Sequence, residues 1–357
     1  MKILIDIGHP AHVHYFRNFI SIMKREGHTF CVVARDREGI HSLLEYYKID
    51  YCSRGKGNTG AIGKFLYVFK GDSFVYKQAK KFHPDIFLSF GSVYAAHAAK
   101  LLGKPHIAFD DTEHSNLERL MYMPFTDVIL TPKCFYKRLG SKQIFFDGYM
   151  ELCYLNPKYF KHEKTGREYL NLSRDEKYIV IRFISWAANH DRGQMGLKLN
   201  IKYELINLLK EKYKIFISSE GKLPDNLEDY NLKIQPSEFH NVLADATLYI
   251  GEGATTASEC SILGIPNVYV NSLAVGYLNE QSEKYNISYH LKDDTNVINK
   301  VSELLSQPDI ETKFKGKRNK ILKDKIDVTG FMVWFVENYP ESKTIMKKNP
   351  EYQYNFK

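Results

Sequence analysis

The sequence predicts an α/β protein of two Rossmann-like domains, each built on a parallel sheet. Three observations predict it. Short apolar runs alternate with amphipathic segments along 357 residues, a length that suits two domains of this class. A small-residue turn, residues 251–254, separates an apolar run from a helical pattern. A hydrophobic fraction of 44% is enough for two sizeable cores.

Composition limits the classes of partner. A formal net charge of +8 suits an anionic substrate, a nucleotide or an anionic membrane surface. No run of Lys and Arg is dense enough for a nucleic-acid-binding arm, so no nucleic acid is expected. The five cysteines are odd in number and scattered, which favours a reducing cytoplasm over a disulfide framework. The first apolar run is too short for a signal peptide, and no segment approaches the ~20 residues of a membrane span.

The first domain begins with a strand at residues 2–7, a helix that ends at Gly27, and a second strand. This βαβ order implies a parallel sheet whose ligand side lies at the carboxyl ends of the strands. His9, His12 and His14 follow the first strand directly. A metal site is the least favoured interpretation, because no second ligand cluster follows. Local capping and substrate contact stay open, with His12 as a candidate general base and His9 and His14 on the acceptor side.

Residues 55–71 predict a glycine- and lysine-bearing loop that leads into an aromatic run. Burial of that run in the core is favoured over contact with a membrane. A strand at residues 84–90 follows, and after it come Gly91, Ser92 and a helix of small residues. Ser92 is predicted on the acceptor side of the site.

The strand at residues 105–109 ends in a group of polar and ionisable residues, Asp110, Asp111, Thr112 and Glu113. At this edge of the sheet, one carboxylate is a candidate general base if burial raises its pKa. The alternative is capping of the next helix by Asp111 or Thr112.

Residues 148–167 are irregular and polar, and they predict the link between the domains. The predicted boundaries are residues 1–160 for an acceptor domain and 161–325 for a donor domain. Residues 326–357 are predicted as a helix that braces both domains. In the second domain, Arg182 and His190 are candidates to neutralise a diphosphate, although Arg182 may instead pair with a carboxylate.

The stretch at residues 249–270 predicts strand, small-residue turn, helix and strand, and Gly264 and Pro266 end the helix. A glycine–alanine turn leaves backbone N–H groups exposed at the positive end of a helix, which favours phosphate binding. Glu259 lies about one turn into that helix, where its carboxylate suits ribose hydroxyls. The alternative is an ordinary turn whose glycines serve backbone shape alone.

Several segments resemble known nucleotide-sugar enzymes of the GT-B fold. EGATTASECSILGIPNVYV resembles the donor-binding stretch of the UDP-GlcNAc transferase that makes lipid II, and that of the UDP-GlcNAc 2-epimerases. NEQSEKYN and AHVHYF resemble further transferase segments. DIGHPAHVHYF, FDDTEHSNLER and DVTGFMVWFVENYPES resemble an uncharacterised GT-B family of surface-polysaccharide loci. The resemblance implies two sheets that face each other across a cleft.

The resemblance also implies roles for individual residues. It implies diphosphate contact by Gly253, Ala254, Thr255 and Thr256. It implies that Glu259 binds the ribose and that Gln281 binds hydroxyls of the donor sugar. His12 matches the histidine of the transferase loop. The sequence departs from these families at two places. The loop that carries His12 contains Pro10 where the loop of the transferase is richer in glycine. Ser92 stands where the epimerases have an aspartate.

The expected function is therefore a metal-independent, inverting glycosyltransferase that uses a UDP-linked sugar. The expected acceptor is a glycan or lipid-linked molecule in surface-polysaccharide synthesis. No cofactor is expected besides the nucleotide sugar, since no suitable DxD motif is present. A cytoplasmic location is expected, with peripheral contact at the inner membrane left open. The alternatives are a UDP-GlcNAc 2-epimerase, kept open by the carboxylates at 110–113, and a non-catalytic nucleotide-sugar binder.

Overall fold

The computed structural model describes residues 1–58, 60–162, 164–184 and 196–357. These residues form two compact units. The first unit contains Met1–Tyr154 and Lys325–Lys357, and the second contains Leu155–Asp324. The second unit thus begins six residues before the predicted start at residue 161. The bracing of both domains by the C-terminal helix stays a prediction.

The sheet of the first unit is parallel throughout its described strands. The strands are β1 (Lys2–Ile7), β2 (Thr29–Asp36), β3 (Tyr51–Lys56), β4 (Ile86–Phe90), β5 (His106–Phe109), β6 (Val128–Pro132) and β7 (Gln143–Phe146). They lie in the order β3-β2-β1-β4-β5-β6-β7. The chain changes direction across the sheet between β1 and β4, the type of position beside which open α/β sheets bind ligands.

The helices of the first unit cover the sheet. They are α1 (Pro10–Arg25), α2 (Ile40–Tyr46), α3 (Ala61–Phe82), α4 (Val93–Leu101), α5 (Asn116–Tyr122) and α6 (Leu152–Leu155). The central strand β1 is buried along Ile3, Leu4 and Ile5, as expected for a parallel strand covered on both faces. The prediction of a loop at residues 55–71 is wrong from Ala61 onward, because α3 begins at that residue.

The second unit has a parallel sheet with the order β12-β11-β10-β8-β9. The strands are β8 (Tyr178–Phe183), β9 (Lys214–Ser219), β10 (Leu248–Gly251), β11 (Asn267–Val270) and β12 (Ser288–Leu291). The helices are α7 (Gly166–Tyr169), α8 (Leu199–Leu209), α9 (Phe239–Ala244), α10 (Ala254–Leu263), α11 (Gly276–Glu283), α12 (Val297–Leu305) and α13 (Ile310–Asp324). Here the switch in strand order lies between β8 and β10.

After the second unit the chain returns to the first through α14 (Val328–Glu337) and α15 (Glu341–Lys348). Phe331 of α14 packs with its ring centroid 6.1 Å from that of Phe146 on β7. Lys325 donates to Asp147 over 2.9 Å, which fixes the start of this return segment. Among the described residues, no helix is long and apolar enough to cross a membrane.

Candidate functional site

The first candidate region lies at the carboxyl end of the first sheet, where α1 follows β1. His9 is the N-cap of α1, and its Nδ1 accepts a hydrogen bond from the Ala11 N–H over 3.2 Å. His12 Nδ1 accepts from the Gly8 N–H over 3.3 Å. Both rings are therefore oriented by backbone donors at the end of β1.

The tautomer of His12 follows from that bond. Burial, and then the positive charges of His9, Arg37 and Arg54, hold the pKa of His12 well below its ordinary value. The ring is thus neutral at neutral pH, and a neutral imidazole whose Nδ1 accepts carries its proton on Nε2. In this arrangement His12 is a hydrogen-bond donor at Nε2, which differs from the general base that the sequence predicts.

Within the part of the chain that the structure describes, His9, His12 and His14 do not belong to a group of potential metal ligands. His14 is buried and its ring stacks on Tyr154 with centroids 5.1 Å apart, which does not fit its predicted acceptor-side role. Among described residues, the group with ligand atoms within 4.8 Å of one another is Glu26, His28 and Glu337. Both nitrogens of His28 already bond there, one to the N-terminal ammonium and one to Glu337.

Ser92, predicted on the acceptor side, is used by the fold. It is the N-cap of α4, where its hydroxyl oxygen accepts from the Ala95 N–H over 3.2 Å. The same hydroxyl donates to Asp6 Oδ2 over 2.5 Å. Asp6 Oδ1 in turn accepts a hydrogen bond from Arg54 Nε over 3.0 Å, and both partners of this ion pair are buried. The sequence alone does not indicate Asp6 and Arg54, because their pairing depends on β3 lying two strands from β1.

The acidic residues after β5 form the second part of this region. Asp110 is held by three donors: Arg119 Nε at 3.0 Å, the Tyr122 hydroxyl at 2.6 Å and the Thr112 N–H at 2.9 Å. A carboxylate bonded in this way is committed to orienting the β5–α5 loop. The predicted capping of α5 by Asp111 or Thr112 is wrong, since its N-cap is Ser115.

Asp111 has a different environment from its neighbour. Its carboxyl is buried and accepts from the Thr112 hydroxyl over 3.2 Å. Burial raises the pKa of Asp111 well above its ordinary value, and the negative charges of Glu151, Asp110 and Glu113 raise it further. Its surroundings therefore favour the protonated form of Asp111. Glu151 was missed because it lies in the stretch interpreted as a linker.

A chain of hydrogen bonds links Ser89, near the carboxyl end of β4, to His106 at the amino end of β5 and Thr126 just before β6. The Ser89 hydroxyl and His106 Nε2 lie 2.9 Å apart, and His106 Nδ1 lies 2.9 Å from the Thr126 hydroxyl. Thr126 donates onward to the Tyr122 carbonyl over 2.9 Å. Burial lowers the pKa of His106 to about 3, so the ring is a neutral structural link.

The second candidate region is the amino end of α10, beside the switch between β8 and β10. Gly253 is the N-cap of α10 and has no side chain to cap it, so among the described residues no side chain caps the amides of its first turn. Gly253, Ala254 and Thr255 are half-buried. A Cβ on Gly251 would lie 2.4 Å from the Tyr249 hydroxyl, so the turn requires glycine there.

Arg182 adds a positive charge to this helix end. A Cβ on Gly253 would lie 3.7 Å from Arg182 Nε, so the guanidinium group borders the N-cap. Its terminal nitrogens donate to the Ser218 hydroxyl over 2.7 Å and to Glu220 over 3.1 Å. Both interpretations of Arg182 are thus present: it pairs with a carboxylate and it borders the turn. A helix amino end beside a cation is a favourable anion site.

Glu252, which no sequence pattern distinguishes, holds the base of this turn. It is fully buried, and its carboxylate accepts from the Ile184 N–H over 3.0 Å and the Leu197 N–H over 2.8 Å. His190 lies outside the described residues.

Glu259 and Gln281 are not at the surface of this region. Glu259 is 5% exposed, and its Oε1 lies 2.8 Å from His240 Nε2 on α9. Gln281 is fully buried, and its amide donates to the Ser258 hydroxyl over 2.7 Å. Thr256 is also buried. Glu259 on α10 and Gln281 on α11 are thus both directed into packing, and their ribose and sugar contacts stay predictions.

Two parallel α/β units with seven and five described strands, each with its candidate residues beside the switch in strand order, define a protein of the GT-B class. Solved structures with this fold confirm the predicted fold class. The chain belongs to the family described as "Protein of unknown function (DUF354)", whose model matches residues 1–341. It is also 24% identical over 280 residues to an uncharacterised protein of Methanocaldococcus jannaschii, covering 75% of this chain and 81% of that one.

Similar solved structures include epimerases and transferases. The UDP-GlcNAc 2-epimerase of Neisseria meningitidis, bound to UDP-GlcNAc, has a TM-score of 0.66 at 15% identity, covering 88% of this chain and 94% of that one. The M. jannaschii UDP-GlcNAc 2-epimerase, in complex with UDP-GlcNAc and UDP, has a TM-score of 0.62 at 14% identity. The match covers 86% of this chain and 94% of that one. A spinosyn rhamnosyltransferase has a TM-score of 0.58 at 12% identity, and the match covers 94% of this chain and 99% of that one. At these identities the likeness establishes the fold alone.

Proposed function

We propose that the chain is a glycosyltransferase that moves a sugar from UDP to a glycan or lipid-linked acceptor. One observation carries this proposal: the uncapped amino end of α10 lies beside Arg182 at the switch in strand order of the second unit. Backbone amides and a guanidinium group are the donors that a diphosphate requires.

The same groups provide the catalytic advantage for transfer. As the bond between the sugar and the diphosphate breaks, negative charge grows on the leaving group. Fixed N–H donors from Gly253 to Thr256 and the charge of Arg182 stabilise that developing charge without a metal ion. Direct displacement by the acceptor hydroxyl then inverts the anomeric carbon. UDP is proposed as the carrier because similar folds from N. meningitidis and M. jannaschii were solved with UDP-linked ligands.

The first unit supplies the acid–base group in this proposal. Asp111 takes the proton of the acceptor hydroxyl, because its raised pKa brings the carboxylate toward the range in which a general base is effective. Asp110, held by Arg119 and Tyr122, orients the loop that carries Asp111. His12 donates a hydrogen bond through Nε2 to a sugar or acceptor oxygen.

A second candidate function, 2-epimerisation of UDP-GlcNAc, is favoured by the number of acids in the first unit. Asp110, Asp111, Glu113 and Glu151 are all buried there, and proton exchange at a ring carbon requires acid–base groups. Transfer is the better match, since Asp110 is bonded to three donors and Ser92 is committed to capping α4. One effective base is enough for transfer.

The acceptor and location complete the proposal. A surface polysaccharide, or its lipid-linked precursor, is assigned as the acceptor, with the enzyme working on the cytoplasmic side of the membrane. The five cysteines are all free, as is usual for proteins of a reducing compartment.

Calorimetry with UDP tests the donor site, with two arginines of the second unit as a matched pair. Arg182 borders the amino end of α10, whereas Arg318 donates to the Ile262 carbonyl at its carboxyl end over 2.9 Å. We expect Arg182→Gln to weaken UDP binding at least about tenfold, since hydrogen bonds to charged groups are worth ~1.5–3 kcal/mol. Arg318→Gln should leave UDP binding unchanged. Equal losses in both variants would contradict the assignment.

Product analysis separates the two reactions. The enzyme is incubated with UDP-GlcNAc in the absence of any acceptor, and the sugar products are followed by NMR. Transfer predicts that UDP-GlcNAc is conserved apart from slow hydrolysis. Formation of UDP-ManNAc or free ManNAc at turnover rates would replace the transferase proposal with the epimerase.

A further inference from the structure

Helix α5 of the first unit has two different faces. Its inward face carries Arg119 and Tyr122, which are buried and bond Asp110. Its outward face carries Leu117 and Leu120, which are 62% and 67% exposed. Residues three apart lie on the same side of a helix, so the two leucines are neighbours. A helix that already packs through its inward face has no structural need for leucine on the other.

The apolar surface continues into the 3-10 helix Met123–Phe125 that follows α5. Phe125 is 38% exposed and its ring lies edge-on to His97, with centroids 4.7 Å apart. We call Leu117, Leu120 and Phe125 the α5 patch. Single exposed leucines are ordinary, but a cluster of large apolar side chains on one short segment marks an interaction surface.

Two lysines lie at the two ends of the α5 patch. Lys137 Nζ donates to Asn116 Oδ1 over 2.5 Å at the start of α5. Lys142 Nζ donates to the carbonyls of Met123 and Pro124 over 2.9 and 3.0 Å at its end. The exposed Glu118 is the acidic residue of the same helix. The patch is therefore apolar in its middle and net positive at its borders.

We propose that the α5 patch docks on the surface of an anionic lipid bilayer. Leu117, Leu120 and Phe125 enter the boundary between headgroups and acyl chains, and the ammonium groups of Lys137 and Lys142 contact lipid phosphates. Charge complementarity favours a bilayer as the occupant. The outward face of one short helix offers no groove for a protein segment, whereas a lipid surface requires only protruding apolar side chains and nearby cations.

Docking through α5 brings the acid–base region to the membrane. The helix that would touch lipid is the helix whose Arg119 orients Asp110, the neighbour of Asp111. The acceptor is thereby specified as a lipid-linked molecule, and in this respect the inference rests on the proposed function.

Vesicle flotation tests the docking without any substrate. The full chain is mixed with vesicles of phosphatidylcholine alone or of equal parts phosphatidylcholine and phosphatidylglycerol. We expect the wild type to float with the anionic vesicles and to be released by added salt. Leu117→Ser with Leu120→Ser should reduce the bound fraction at least about tenfold, because each leucine loses its burial in lipid. Leu199→Ser with Leu208→Ser is the matched control, since these leucines of α8 are 52% and 43% exposed.

The proposal is overturned if wild type does not bind anionic vesicles, or if the α5 variant and the α8 control bind equally. It is also overturned if the wild type forms a concentration-dependent dimer that the α5 substitutions abolish, since a second copy then occupies the patch. UDP calorimetry on the same samples keeps the two proposals apart. If the α5 variant binds UDP normally but does not bind vesicles, the result supports docking. If the wild type itself does not bind UDP, the result rejects only the proposed donor site.

Discussion

The carboxyl ends of the two sheets present different chemical groups. In the first unit, buried side chains bond one another in separate groups: the Ser92 hydroxyl donates to Asp6, and the Tyr122 hydroxyl donates to Asp110. In the second unit, the corresponding end presents glycine, backbone amides and one arginine. The difference teaches that one sheet end offers buried carboxyl groups held by side chains, whereas the other offers backbone donors beside a cation.

The largest expected effect comes from Asp111, the acid–base group of the first unit. Asp111→Asn should lower transfer by ~10²–10⁴-fold, because the acceptor proton has no base. The same change should raise the free energy of unfolding at neutral pH by roughly 1–3 kcal/mol, since it removes a buried charge. Activity assays and urea unfolding measure the two effects.

The pH dependence sharpens this prediction. Because the pKa of Asp111 is raised in the folded state, the folded protein holds its proton more tightly than the unfolded chain. The free energy of unfolding therefore falls as the pH rises above about 3.8, the ordinary value for this carboxyl. Asp111→Asn should flatten that fall. A variant as pH-sensitive as wild type would show that Asp111 is not the group responsible.

The next effect compares two arginines, one from each region. Arg119→Met leaves Asp110 buried without its cation, which should cost about 3–5 kcal/mol of folding free energy. Arg182→Met should cost at most about 1 kcal/mol, because its pair with Glu220 is partly exposed. Chemical denaturation of both variants measures the contrast. Similar costs would mean that the two ends of the sheets do not differ in the way described.

A smaller effect is expected from a carboxylate placed on the helix end itself. Gly253→Asp puts a capping side chain at the amino end of α10, where it should raise the free energy of unfolding by a few tenths of a kcal/mol. The same carboxylate occupies the amides and repels phosphate, so UDP affinity should fall at least about tenfold. Thermal unfolding measures the expected gain in stability, and calorimetry measures the expected loss of UDP affinity. Gly316→Asp on α13, where an added Cβ meets nothing within 4 Å, is the control.

The smallest expected effect concerns His12. Its Nε2 is a donor in the described geometry, so His12→Gln, which keeps an N–H donor, should lower transfer less than about tenfold. The pH–rate profile of the wild type should show no ionisation near 6.5, because the pKa of His12 lies well below that value. An ionisation near 6.5 that disappears in His12→Gln would restore the general-base role.

The fold could be predicted from the sequence because its signals are local. Apolar runs such as residues 2–7 and 267–270 coincide with β1 and β11, and Gly264 ends α10 in the left-handed conformation that glycine favours. The long helix α3 was not predicted in its first turns, since the glycines at positions 57, 60 and 63 resemble a loop. The sequence favours burial of the aromatic run over membrane contact, and Tyr67 is indeed buried with its hydroxyl bonded to Arg54, whereas Phe69 is exposed.

The candidate site could be predicted only in part, because side-chain direction depends on packing. The turn at Gly253 and the acids after β5 follow from strand ends, which the sequence marks. The burial of Glu259 against His240 does not, since His240 lies on a different helix. Asp110 and Asp111 are neighbours in sequence, yet one is bonded to Arg119 and the other is not. Their different roles follow from contacts with α5 and Glu151.

The return of the chain after Asp324 makes the second unit an insertion within the first. During synthesis, all of the second unit has emerged before Phe331 can reach Phe146, or Tyr354 can donate to Asp147 over 2.6 Å. The ribosome therefore delivers the second unit complete while the first still lacks the packing for β7. The second unit can thus fold before the first, although it begins later along the chain.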